Sequence, residues 1–123
     1  MNGLSFLVDT NVALYLLSGN KTITETLNHS TVYVSFVTQL ELLGYKGISE
    51  SEITKVKRFL KDCIIMDLTE EIKNNTIKIK QQYNIKLPDS IIAATAEYLE
   101  IPLLTADIGF QKIKDINITF YKE

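Results

Sequence analysis

The chain has 123 residues, an apolar share of 46% and a formal net charge of −2. With five Gly, two Pro and no low-complexity tract, the composition excludes a disordered or collagen-like chain and suits one domain over residues 1–123 with a sizeable core. The slight negative charge argues against a dedicated nucleic-acid coating protein, but not against an enzyme that meets phosphates through bound cations.

Short apolar runs alternate with longer amphipathic stretches, which predicts an α/β domain with a mainly parallel sheet. Strands are expected at Ser5–Val8, Val32–Ser35, Ile64–Met66, Leu103–Thr105 and Ile116–Phe120. The first four are short and continuously apolar, so burial on both faces is expected. The last alternates Ile116, Ile118 and Phe120 with polar residues, as an edge strand does. No apolar run in the first third is long enough to cross a bilayer, and the N-terminus lacks the basic and apolar regions of a secretory signal. The expectation is a soluble, cytoplasmic protein with no membrane partner.

Helices are expected between the strands. Thr22-Ile23-Thr24-Glu25 and Ser49-Glu50-Ser51-Glu52 both match a capping box, in which a hydroxyl and a carboxylate satisfy each other's helix-start N–H groups. After the second, Ile53, Val56 and Leu60 form an apolar stripe, with Lys55, Lys57, Arg58 and Lys61 over the remaining surface. A further helix begins at the acidic turn Glu70-Glu71 and carries Ile72, Ile79 and Tyr83 on one face. Pro88 suits the first turn of the next, whose run Ile91-Ile92-Ala93-Ala94-Thr95-Ala96 should lie deep against the sheet and another helix.

Cys63 is the only cysteine, so no intrachain disulfide can form, and its apolar neighbours Ile64-Ile65-Met66 point to an inert thiol. His29 is the only histidine, flanked by polar residues, and is expected in a surface loop. Neither supports a Ser-His-Asp or Cys-His mechanism.

Four carboxylates stand out. Asp9 directly follows one buried strand and Asp107 follows another, at the sheet edge where α/β proteins bind ligands. Each admits a second reading: Asp9 or Asn11 as a helix N-cap, and Asp107 as a turn former before Gly109. Asp89 shares a helix face with Ile92, Ala93 and Ala96, or serves as a first-turn acid. Glu41 shares a face with Val37, Leu40 and Gly44, where a carboxylate is costly unless paired or bound. If all four meet in one cleft, like charges about 4 Å apart repel by roughly 4 kcal/mol per pair at an effective dielectric near 20. An oxygen-only set of this kind favours a hard divalent cation, Mg²⁺ or Mn²⁺.

These segments are familiar. Phe6-Leu7-Val8-Asp9-Thr10-Asn11 resembles the opening of PIN domains, specifically of the VapC-type toxins of bacterial toxin–antitoxin pairs. Val34-Ser35-Phe36-Val37-Thr38-Gln39-Leu40-Glu41-Leu42, Leu87-Pro88-Asp89-Ser90-Ile91-Ile92-Ala93-Ala94-Thr95-Ala96 and Leu104-Thr105-Ala106-Asp107-Ile108-Gly109-Phe110 resemble the blocks that follow, in order and spacing. The resemblance spans nearly the whole chain. It implies a Rossmann-like PIN fold and cleavage of RNA phosphodiester bonds assisted by Mg²⁺ or Mn²⁺. It matches Asp9, Glu41, Asp89 and Asp107 to the acidic, metal-holding cluster, Asn11 and Thr105 to supporting polar positions, and Ser35 to a polar position beside the site. It further implies a homodimer and a cognate antitoxin partner.

The single arginine, Arg58, supplies a phosphate clamp poorly. Lys86, three residues before Asp89, and Lys112 and Lys114, after Asp107, are the candidate phosphate neighbours or else ordinary solvated lysines. An aspartyl-phosphate enzyme is a weaker rival, since position 11 is Asn where a second aspartate is wanted, and Asp9 lacks the acidic neighbour of a receiver domain. The alternative from another class is a catalytically inactive PIN-like module that binds RNA or protein.

Overall fold

The computed structural model describes residues 3–121. Strands β1 (Ser5–Val8), β2 (Thr31–Ser35), β3 (Ile64–Met66), β4 (Leu103–Thr105) and β5 (Ile118–Phe120) form one parallel sheet in the order β3-β2-β1-β4-β5. Helices α1 (Thr10–Leu17) and α2 (Lys21–Leu27) connect β1 to β2. Helices α3 (Phe36–Leu43) and α4 (Glu50–Lys61) connect β2 to β3, and α5 (Glu70–Gln82) and α6 (Leu87–Leu99) carry the chain from β3 across to β4. A 3-10 turn at Ile108–Lys112 leads to β5.

The strand period of two distributes the sheet's apolar residues to two cores. Leu7 and Leu103 pack on one face with Ile72 and Ile79 of α5 and Ile92 to Ala96 of α6. Val8, Val34 and Leu104 pack on the other with Val12 and Ala13 of α1, Ile23 of α2, and Val56 and Leu60 of α4. Helix α3 serves both, giving Val37 to the first core and Leu42 to the second. The small residues of α6 allow it the deep position expected, buried from Ile92 to Ala96 and packed against α5 and β2.

The structure corrects several expectations. Strand β3 is not covered on all sides: it pairs only with β2 at the sheet edge, and Ile64 remains 45% exposed. In β1 and β2 full burial is confined to the C-terminal residues Leu7, Val8, Val34 and Ser35. Strand β5 is the other edge, as its alternation indicated, and starts at Ile118. The capping box at Ser49–Glu52 forms, with Glu52 N–H on Ser49 Oγ at 3.1 Å and Ser49 N–H on Glu52 Oε1 at 2.9 Å. The one at Thr22 does not. Helix α2 starts earlier, and its N-cap is Asn20, whose Oδ1 accepts the Ile23 N–H at 3.0 Å and the Tyr121 hydroxyl at 3.1 Å. Gly19, at φ +81°, turns the chain into that cap, a conformation glycine adopts without steric cost. Among the described residues no helix is long and apolar enough to cross a membrane.

The corrected cap has a measurable consequence. Asn20→Ala is expected to destabilise the protein by about 1–2 kcal/mol, through loss of the cap and of the tie to Tyr121. Thr22→Ala should stay within about 0.5 kcal/mol of the parent. Urea unfolding of the two variants checks this, and equal losses would restore Thr22 as the cap.

Candidate functional site: an acidic cleft at the sheet's switch point

Strand β1 is where the chain order of the sheet reverses, with β2 on one side and β4 on the other. The carboxyl ends of these strands leave a crevice, and in open α/β sheets such a crevice is the ligand site. Here it is a cleft of about 300 Å³ whose wall includes Asp9, Glu41, Asp89 and Asp107, with Thr10, Asn11 and Ile92 between them. The four acids come from four separate segments: the end of β1, the middle of α3, the first turn of α6, and the turn after β4.

Asp9 is only 4% exposed. Its Oδ1 accepts the Val12 N–H at 2.9 Å, so it does N-cap α1, and its Oδ2 accepts the hydroxyl of the fully buried Thr105. Thr105 in turn accepts the Asp107 N–H at 3.0 Å. With its one hydroxyl hydrogen given to Asp9, Thr105 relays a hydrogen-bond chain from the Asp107 backbone to the Asp9 carboxylate. Asp107 also fulfils its turn-forming reading: Oδ1 accepts the Gly109 N–H at 2.8 Å. A methyl group at position 109 would stand 3.0 Å from that oxygen, so the glycine leaves the carboxylate its room.

Glu41 reaches the cleft by a route the apolar-stripe argument missed. Leu40 is 61% exposed and Glu41 itself is exposed, so no buried stripe encloses the carboxylate. Instead Thr10 Oγ1 donates to Glu41 Oε1, and lies 3.0 Å from Thr38 Oγ1. Thr10 has a single hydroxyl hydrogen, so the hydrogen in its contact with Thr38 belongs to Thr38. The relay Thr38 to Thr10 to Glu41 ties α3 to the start of α1.

Asp89 is half-buried in the first turn of α6, behind Pro88. Burial raises its pKa above the ordinary aspartate range, and the charges of Asp107 and Glu41 push it the same way, against the pull of Lys86. Burial likewise raises the pKa of Asp9, helped by Asp107 and Asp89 and opposed by the hydrogen bonds from Thr105 and Val12. The carboxylates therefore sense one another, and the cleft holds more negative charge than its own groups relieve.

The remaining expected residues divide. Asn11 lines the cleft, exposed. Ser35 does not: fully buried, it N-caps α3, its Oγ accepting the Val37 N–H at 3.1 Å. Lys86 and Lys112 line an annex of about 210 Å³ that shares Asp89 and Asp107 with the cleft. Lys114 lies elsewhere, beside Glu97, Glu100 and Asp115. Thr10, Thr38 and Gly109 carry site geometry without having been singled out in the sequence. His29 is an exposed turn residue at φ +68°, and burial pushes the Cys63 thiol up to about 11, far from a nucleophile's range.

Among the described residues no group of three or more Asp, Glu, His or Cys side chains is placed to hold a metal ion. The chemistry of the cleft fits another mode. Hard oxygen donors around an open, polar space suit a cation such as Mg²⁺, which keeps several waters and takes one or two carboxylates.

The sequence profile of the PIN domain matches residues 6–116, and the chain belongs to the PIN domain family. No curated protein sequence matches it significantly. Among solved structures it is similar to a toxin–antitoxin complex from Klebsiella pneumoniae, at 26% identity and a TM-score of 0.78, covering 92% of this chain and 94% of that one. VapBC-1 from nontypeable Haemophilus influenzae superposes with a TM-score of 0.82 at 24% identity, over 95% and 98% of the two chains. VapBC2 from Rickettsia felis, solved with a promoter DNA fragment, gives 0.85 at 19% identity, over 97% and 100%. The last two likenesses speak for the fold.

The raised carboxylates set a pH dependence. A group whose folded pKa is raised adds stability below its unfolded value and loses it as the pH rises through the folded value. The metal-free protein should therefore lose melting temperature as the pH rises from the ordinary aspartate range through the raised values of Asp9 and Asp89 towards pH 7.5. Millimolar Mg²⁺ should raise the melting temperature at pH 7.5 and do little at pH 5. Calorimetry of the parent, Asp9→Asn and Asp89→Asn checks this. Each variant should flatten both dependences, and a variant that keeps them would show that its carboxylate is not the group responsible.

Proposed function

We propose that this chain, as a single PIN domain over residues 1–123, is a metal-dependent endoribonuclease, the toxin of a toxin–antitoxin pair. The observation that carries the reading is the gathering of Asp9, Glu41, Asp89 and Asp107, from four segments, on one cleft at the switch point of the sheet. Family membership supports a nuclease, and the toxin–antitoxin complexes among its structural neighbours support a cognate antitoxin as partner. A homodimer working in the cytoplasm completes the proposal.

In this reading Asp9, Asp89 and Asp107, with Glu41, hold Mg²⁺ or Mn²⁺. The cation supplies an activated water and offsets charge on the phosphate under attack. The protein's own groups do the rest. Thr105 fixes the Asp9 carboxylate through its hydroxyl and so sets which lone pairs face the cleft. Thr10 holds Glu41 in the cleft wall, as a candidate proton acceptor. Asn11 and Lys86 offer donors to phosphate oxygens. Ser35 acts at one remove, by starting the helix that carries Glu41.

Cleavage of a tRNA and total-RNA panel by antitoxin-free protein tests the proposal, with Mg²⁺, Mn²⁺ or EDTA. Cutting should require the cation and fall to the EDTA level in Asp9→Asn and Asp107→Asn. Thr105→Val, which leaves every carboxylate in place, should lose about 10–100-fold in metal affinity or rate. Undiminished cutting by Asp9→Asn would overturn the assignment. A folded parent that binds RNA with cation present and cuts nothing would leave a non-catalytic RNA-binding module in its place.

A further inference from the structure

The acidic cleft has two ends, and they are not alike. On the Glu41 side its wall carries Thr10 and Asn11 and no cation. On the Asp89–Asp107 side it opens into the annex, where Lys86 and Lys112 stand around Ile85, Gly109 and the buried Phe110. The two lysines differ in what they are free to do. Lys112 Nζ donates to the Asn84 carbonyl oxygen at 2.9 Å, tying the 3-10 turn after β4 to the loop between α5 and α6. Lys86 makes no ion pair within 4 Å among the described residues, yet it acts electrostatically on Asp89. It is exposed, at the very start of α6, and three residues from that acid.

Resting on the nuclease reading, we propose that RNA leaves the acidic cleft through this annex, with Lys86 gripping the phosphate next to the scissile one and Lys112 serving as a strut for the annex wall. A polyanion threaded past four carboxylates is repelled wherever no cation offsets it, so the chain follows the end that has a free lysine. The partly exposed Ile85 gives that end an apolar surface against which a ribose can rest. Lys112 is engaged with a backbone carbonyl, so its removal should loosen the wall without deleting a phosphate contact.

The test is binding of a short single-stranded RNA in Mg²⁺, followed by fluorescence anisotropy over a salt series. All lysine variants are built in the parent background with its four carboxylates intact, and the probe carries phosphorothioate linkages so that it survives. Lys86→Met should weaken binding roughly three- to tenfold at low salt and reduce the slope of log K against log salt by about 0.7, one phosphate contact on a single strand. Lys86→Arg should restore both. Lys112→Met should lower the melting temperature and the affinity but keep the slope. Lys57→Met, at an exposed position of α4 outside the walls of cleft and annex, should change neither. A Lys86→Met slope equal to the background's, or an equal loss of slope in Lys112→Met or Lys57→Met, overturns the proposal. The parent is run on unmodified RNA of the same sequence for cleavage. Binding with the predicted slopes but no cutting sinks the nuclease reading and leaves the annex standing; cutting with an unchanged slope sinks the annex alone; no binding sinks both.

Discussion

The site depends on one buried carboxylate. Asp9 takes the Val12 N–H on one oxygen and the Thr105 hydroxyl on the other, and its own backbone N–H reaches the Leu104 carbonyl oxygen at 3.3 Å. Three elements meet at this residue: β1 ends on it, α1 starts from it, and β4 is tied to it. A carboxylate capping a helix is ordinary, and a capping aspartate needs no ligand. What sets Asp9 apart is that its side-chain partners among the described residues are neutral, while burial and the charges of Asp107 and Asp89 work against its ionised form. An asparagine would cap α1 as well and spare the repulsion. Under the proposed function, a bound cation would offset that repulsion.

Sheet order decides the rest. Because β1 lies between β2 and β4, the helices that leave β1 and β2 and the turn that leaves β4 splay apart above it, and the gap between them is the cleft. Helix α6 closes it from the sheet's other face, bringing Asp89 in on a first turn whose next residues are packed too tightly to move: Ile92 through Ala96 are all buried. Two hydroxyl relays, Thr38 to Thr10 to Glu41 and the Asp107 backbone through Thr105 to Asp9, then fix carboxylates on opposite walls. Rigid elements thus supply the positions, and short buried side chains supply the orientation. The cost of gathering like charges is met by two ordinary apolar cores beneath them.

The sequence showed what is local. Five strands were legible because short apolar runs stand between amphipathic ones, and the Ser49 cap because both members of its box lie within one turn. What it misread is tertiary. Whether Ile64-Ile65-Met66 is covered depends on which strand ends the sheet, and nothing within those three residues says so. Thr22 and Glu25 have the spacing of a capping box, but Gly19 turns the chain early and Asn20 takes the role. Glu41 was singled out for an apolar stripe that is not buried, and reached the cleft through Thr10, thirty-one positions away in the chain. Thr10 and Thr38 themselves left no signal, since two threonines gain a partnership only when the fold brings α1 and α3 together. The family resemblance named Thr105 beside the acids; Thr10 and Thr38 it did not.

Charge carries the argument one step further. A cleft with four carboxylates and one nearby unengaged lysine repels a phosphodiester, and a cation placed among them attracts it. If RNA binds only where the cation sits, the two affinities are coupled, and the coupling is reciprocal: whatever the cation adds to RNA binding, RNA adds to cation binding. An open set of carboxylates, rather than a closed cage, is then the arrangement that suits the chemistry. A cage would hold the metal without substrate and leave no coordination positions for phosphate oxygens or water. Under the proposed function, an open site would hold the cation weakly alone and more firmly once RNA completed the shell.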